Sequence, residues 1–210
     1  MEDTREVVRN GQIDNRFLWP GGEVPFVISP VFRNSEREVI LGAMNEIKRK
    51  TCVSFRPRSS RDTDYLTIGD DRSKPGCWSF VGRKGNDQHL NLRRPWCLEH
   101  SVVVHELLHS LGLFHQQSAS NRDDYVQIHW QNIEHGQEDN FEKQDPSTVA
   151  SYGVPYDYNS IMHYGTHAFS RNREPTITPL KEGVEIGVRK NLSRGDVAKI
   201  NIMYNCNSSG

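Results

Sequence analysis

Residues 105–115, reading HELLHSLGLFH, constrain this chain more than any other segment. On a helix turning about 100° per residue, with His105 set at zero, His109 falls near ~40° and Glu106 near ~100°. Val104, Leu107, Leu108 and Leu111 then fall between about 200° and 300°, so one face is polar and the opposite face is core. If the helix continued, His115 would stand near about 280°, among the buried residues. Gly112 removes that conflict, because a left-handed turn there redirects the chain and returns His115 to the polar face. The fold therefore has to bury one side of this helix, stop it at Gly112 and bring the following strand of chain back over it.

The chemistry follows from those positions. The chain holds nine histidines, and three of them sit in this one segment. Two imidazoles four residues apart reach one Zn²⁺ from adjacent turns, and the carboxylate of Glu106 between them is placed to take a proton from a water on the metal. His115 supplies a third ligand, and three neutral imidazoles leave a fourth position open, which marks a catalytic rather than a structural zinc. The plainer reading makes these surface or core histidines of an amphipathic helix with Gly112 as an ordinary cap. Against it, the Gly at the eighth position and the His at the eleventh each have a geometric task of their own. No Gly-x-Ser-x-Gly nucleophile motif competes, and the reaction implied is hydrolysis of a peptide carbonyl by activated water.

Around this segment the pattern is α+β. Trp19-Pro20-Gly21-Gly22 reads as a turn into a strand at Val24–Ile28. Ser35 with Glu38 fits a capping box for a helix running to about Lys50, with Val39, Ala43, Met44 and Ile47 on its apolar face. Val53–Phe55, Tyr65–Ile68, Trp78–Val81 and His89–Leu92 read as short strands, giving a mixed sheet. The zinc helix is expected over Leu98–Leu113. From Gln116 to Gly187 the chain reads as irregular apart from one candidate helix at Asn132–Phe141. A final helix is expected from Ser193, with Asp196 completing an acidic capping box, to about Tyr204. The change near residue 116 is the expected boundary between an N-terminal subdomain (about 10–115) and a C-terminal one (about 116–206), with 207–210 as a tail.

Lys and Arg number 26 against 27 Asp and Glu, which leaves no basic field for a nucleic acid. The longest aliphatic run near the middle, Val102–Val104, is far short of a membrane span. Cys52, Cys77, Cys97 and Cys206 contain no Cys-x-x-Cys pair and suit disulfides better than a zinc knuckle, although four cysteines allow three connectivities and reduced thiols remain the alternative. Sequons at Asn191 and Asn207 lean toward export. The first residues, MEDTREVVRNG, lack the apolar core of a signal peptide, which fits either a cytosolic chain or a processed or recombinant form.

Taken with its zinc segment, the chain resembles the astacin metallopeptidases of the metzincin clan. Ser160-Ile161-Met162-His163-Tyr164 resembles the family's Met-turn. The likeness runs from about Asn10 to Cys206, through Leu18-Trp19, Gly76-Cys77-Trp78-Ser79, Arg122-Asp123-Asp124-Tyr125-Val126 and the cysteine positions. It implies a zincin-like fold: a mixed twisted sheet, two long helices above the cleft, and a largely irregular C-terminal subdomain with a final helix. It implies a secreted, monomeric zinc endopeptidase made as a zymogen and acting on extended polypeptide. Met162 would form the floor under one zinc held by His105, His109 and His115. Tyr164 would be a fifth ligand that swings away to stabilise the oxyanion. The strand at Trp78 and Phe80 would pair with substrate. The implied disulfides are Cys52 with Cys206 and Cys77 with Cys97, worth roughly 5 and 3 kcal/mol in the disputed chain-entropy treatment.

The chain also departs from the family pattern. Gln116 stands where a Glu usually follows the third His, Ala119 where Arg is frequent, and Asn121 where Asp is frequent. The implied mature end is Asn10, leaving 1–9 as a propeptide remnant or expression tail that lacks the inhibitory Phe-x-Gly-Asp motif. Docking of a freed Asn10 amine against the uncharged Gln116 is expected to be weak, and trimming to Asn10 to change activity modestly. These substitutions motivate the alternative of a catalytically impaired, polypeptide-binding zinc module. Arg171 and Arg173 after the Met-turn are candidates for recognising acidic residues, or plain surface arginines.

Overall fold

The computed structural model describes residues 10–206. The reading of 1–9 as a remnant, the tail 207–210 and the Asn207 sequon lie outside the described residues. In chain order the elements are β1 (Gly11–Gln12), β2 (Glu23–Ile28), α1 (Asn34–Lys50), β3 (Ser54–Pro57), β4 (Tyr65–Gly69), β5 (Cys77–Ser79), β6 (Asp87–Leu92), α2 (His100–Ser110), β7 (Val126–Ile128), β8 (Val149–Ala150), β9 (Ile177–Pro179) and α3 (Arg194–Met203), with short 3₁₀ turns between them.

The main sheet has the order β3-β2-β4-β6-β5. Its first four strands are parallel and β5 runs antiparallel to β6. Parallel strands need cover, and α1 and α2 supply it: Ile40, Ala43, Met44 and Ile47 of α1 join Val103, Val104, Leu107 and Leu108 of α2 in one core with Val24, Leu66, Ile68, Leu90 and Leu92 of the sheet. Met162, Ile200 and Met203 from the C-terminal half close the same core, and a smaller cluster around Phe141, Tyr156, Ile177 and Ile186 fills the irregular half. The fold is the mixed α+β arrangement expected. Both disulfides are formed, Cys52–Cys206 and Cys77–Cys97.

Three local expectations are corrected. α1 is capped at Arg33 rather than Ser35, because the carboxylate reaching back to the cap is that of Glu36, not Glu38; its Oε2 accepts from the Arg33 main-chain N–H at 2.7 Å. No helix spans Asn132–Phe141: 3₁₀ turns at Trp130–Asn132 and Glu138–Phe141 flank an extended Ile133 bridged to Ser170 and a left-handed Gly136. The zinc helix is shorter at both ends, since Glu99 is extended and Leu98 belongs to the turn after Pro95. At α3 the acidic capping box is as expected, with Ser193 Oγ accepting from the Asp196 main-chain N–H and the Asp196 carboxylate from that of Ser193.

The C-terminus of α2 is a Schellman motif. The Leu113 N–H donates to Leu108 O at 3.1 Å and the Gly112 N–H to His109 O at 2.8 Å, with Gly112 at φ +107°. A Cβ at Gly112 would lie 3.0 Å from Met203 Cε and 3.2 Å from Gln12 Cβ. Replacing Gly112 by Ala is therefore expected to cost about 1–3 kcal/mol of stability, read from urea unfolding; an unchanged midpoint would show that the turn does not require glycine.

Candidate active site

α2 carries His105 and His109 on the face turned from the core, and the Schellman turn brings His115 back beside them. His105 Nε2 and His109 Nε2 each lie 3.1 Å from His115 Nε2. The opposite ring nitrogens are already engaged: His105 Nδ1 donates to Ile161 O at 2.8 Å and His109 Nδ1 to Leu113 O at 2.7 Å. That fixes the tautomer, so both Nε2 atoms present lone pairs, and a single N–H on His115 can satisfy only one of them. Burial holds all three imidazoles neutral, pulling His109 down to about 3 and lowering His105 and His115 as well. Neutral nitrogens converging at this spacing match the roughly 3.3 Å edge of a tetrahedron with Zn–N bonds of about 2.0–2.1 Å. The donor set fits one zinc, and among the described residues it is the one such metal-capable group.

Glu106 projects from the same helix, 5% exposed, with its Oε2 buried and unpartnered. Burial pushes its carboxyl up to about 8. An acid that lacks an internal partner is free to exchange a proton with a molecule in the cleft. The cleft encloses about 580 Å³, and its lining includes the three histidines, Glu106, Trp78 and Tyr164. A larger cavity of about 770 Å³ beside Asp157, Arg189 and Arg194 contains no such cluster.

The Met-turn is held from behind by α3. Asp196 accepts from Ser160 Oγ (2.6 Å) and from the Ile161 N–H (3.0 Å), so the carbonyl that orients His105 is itself anchored. Met162 is fully buried in the main core, and its carbonyl accepts from the Gln116 N–H at 2.9 Å. The Tyr164 ring lies 4.4 Å from that of His115, and burial, with the Glu106 charge added, raises its phenol. β5 is an edge strand whose Cys77, Trp78 and Ser79 line the cleft.

Not every candidate converges. Phe80 is 43% exposed and outside the lining, set edge-on against Trp78 at 6.0 Å. Arg171 and Arg173 also lie outside it; Arg171 donates to Gln131 O. The arginine that does reach the cleft is Arg189, hydrogen-bonded to Asn159, which no local pattern in its irregular segment signals. Gln116 and Asn10 do come together, but through Lys199, whose Nζ donates to both side-chain oxygens, while the Asn10 main-chain N–H donates to Ala150 O. Asn121, in the place of a frequent Asp, has both side-chain polar atoms buried without a partner. Asn191 lines the larger cavity.

The family model described as Astacin, a peptidase family, matches residues 11–205. Zinc metalloproteinase nas-13 of Caenorhabditis elegans is 41% identical over 200 residues, 95% of this chain and 44% of that protein. The low choriolytic enzyme of Oryzias latipes is 40% identical over 185 residues, 88% of this chain and 66% of that protein. The chain thus spans less than half of the first of these relatives. Among solved structures, high choriolytic enzyme 1, a hatching enzyme zinc-protease from Oryzias latipes, superposes with a TM-score of 0.84 at 39% identity, covering 92% of this chain and 96% of the other. Myroilysin shares the fold at 18% identity and a TM-score of 0.62.

Zinc binding to this site is expected to stabilise the fold by about 2.7 kcal/mol at a free concentration 100 times the dissociation constant. Thermal unfolding of the chelator-stripped chain with and without added Zn²⁺ measures it; coincident curves would contradict the site.

Proposed function

The chain belongs to the astacin family of peptidases, and on that premise we propose that it is a secreted zinc-dependent endopeptidase that cleaves extended polypeptide. The observation that carries this reading is the convergence of His105, His109 and His115 beside the unpartnered Glu106 carboxylate at the floor of an open cleft. The three imidazoles would hold the zinc, and when bound it supplies Lewis acidity that polarises a carbonyl and acidifies water.

The protein's own groups do the rest. Glu106 takes the proton of the attacking water at its free Oε2 and returns it to the leaving amine, a task suited to an acid whose pKa burial has raised toward neutrality. Tyr164, ring against His115, is the candidate fifth ligand in the free enzyme and donates its phenolic hydrogen to the carbonyl oxygen as negative charge develops there. The free edge of β5 offers main-chain donors and acceptors to an extended peptide running beside it. Trp78 lines that edge; Phe80 stays outside the contact. Arg189 at the cleft favours an acidic side chain near the cut bond.

Two disulfides support export, and the separate smaller hydrophobic cluster within residues 119–186 supports a two-subdomain organisation. Retention of Glu106 and all three ligands supports turnover over a binding-only module.

A quenched-fluorescence peptide library tests the reading. The wild type is expected to cleave, Glu106→Gln to bind zinc without cleaving, and Tyr164→Phe to turn over on the order of 10²-fold more slowly with metal retained. Arg189→Ala is expected to lose roughly 10-fold on acidic-residue peptides. Equal cleavage by Glu106→Gln and wild type would refute the role of Glu106, and zinc binding without cleavage by any form would favour the binding module.

A further inference from the structure

Lys199 has no exposed surface. A buried ammonium persists only where hydrogen bonds or charges compensate it, and here the compensation comes from two amide oxygens. Nζ donates to Asn10 Oδ1 at 2.6 Å and to Gln116 Oε1 at 2.8 Å. Asp196 and Asp157 favour the charge from farther away, while burial draws the amine down to about 8.

The two acceptors lie on either side of the third histidine. Gln116 follows His115, and its main-chain N–H is fixed to Met162 O. Asn10 grips the residue before it: Asn10 Nδ2 donates to Phe114 O at 3.1 Å, and Asn10 O accepts from the Phe114 N–H at 2.8 Å. The tripeptide Phe114-His115-Gln116 is thus clamped at both ends, and both clamps meet at one side chain. It projects from α3 one turn beyond Asp196, the residue that anchors the Met-turn and, through Ile161 O, orients His105.

We propose that Lys199 is a positioning residue for His115: its ammonium, carried by the final helix, ties Asn10 and Gln116 together and holds the third imidazole where the other two converge. A chain starting at Asn10 would bring a second cation to the same buried residue, with no carboxylate on Gln116 to neutralise the pair. The inference rests on the reading of His115 as a zinc ligand.

Zinc affinity of the folded, metal-stripped full chain, measured by competition with a chromophoric chelator, tests it without reference to activity. Wild type is expected to bind one zinc; failure to do so would contradict the zinc reading itself, separately from the role of Lys199. Lys199→Met is expected to weaken binding by about 10-fold or more, the usual cost of losing an outer-shell support. The double variant Lys199→Met/Gln116→Leu should bind no more weakly, because the lysine acts through the glutamine. A Lys199→Met chain that is less stable to urea but binds zinc like wild type would overturn the proposal, leaving Lys199 a structural role alone. If Lys199→Met does not fold, Lys199→Gln, neutral but still a donor, is read in the same assay, and wild-type affinity there would overturn the role of the charge. A wild type trimmed to Asn10 is expected to bind zinc no more tightly than the full chain; tighter zinc binding by 10-fold in the trimmed form would assign the clamp to the freed amine and overturn the proposal.

Discussion

Three imidazole nitrogens meet in a buried pocket, with His115 Nε2 3.1 Å from the fixed lone pairs of both His105 and His109, so at least one of these contacts is repulsive unless a cation lies among them, and much of the surrounding structure serves to keep them there. The tautomers are set by carbonyls, Ile161 O for His105 and Leu113 O for His109, so neither ring is free to relieve the crowding by flipping. No preformed site of this kind exists in the unfolded chain, so zinc binding is linked to folding and stabilises it.

The supports for those carbonyls come from far along the chain. Leu113 O follows directly from the Schellman turn at Gly112, so the residue that ends α2 also orients the ligand one turn upstream. Ile161 O belongs to the Met-turn, whose main chain is fixed by a carboxylate on α3. The end of α3 is in turn tied to the N-terminal half by Cys52–Cys206. The C-terminal half has little regular structure, and it is held by buried side chains hydrogen-bonding main-chain groups, as Arg122 does with the Gln117 and Phe141 carbonyls.

What was legible beforehand divides along physical lines. Periodicity exposed the two faces of α2, and the glycine at its end announced the change of direction, because both depend on residue type at fixed spacing. The partners of the histidines are peptide carbonyls, which have no signature in a sequence. Asn132–Phe141 resembled a helix in composition, yet the bridge from Ile133 to Ser170 holds the chain extended there, a long-range contact that local propensity does not anticipate. Phe80 is adjacent to cleft residues in sequence but turns outward, whereas Arg189 reaches the cleft from a segment with no pattern. Lys199 was the least visible, since a lysine on a short C-terminal helix reads as a solvated charge until the fold brings Asn10 and Gln116 around it.

X-ray absorption at the zinc edge on the purified chain tests the central claim most directly. One zinc per chain, with three imidazole nitrogens at about 2.0–2.1 Å and light oxygen ligands completing the shell, is the predicted result. A chain without zinc, or zinc bound through fewer than three imidazoles or through sulfur at about 2.3 Å, would contradict it.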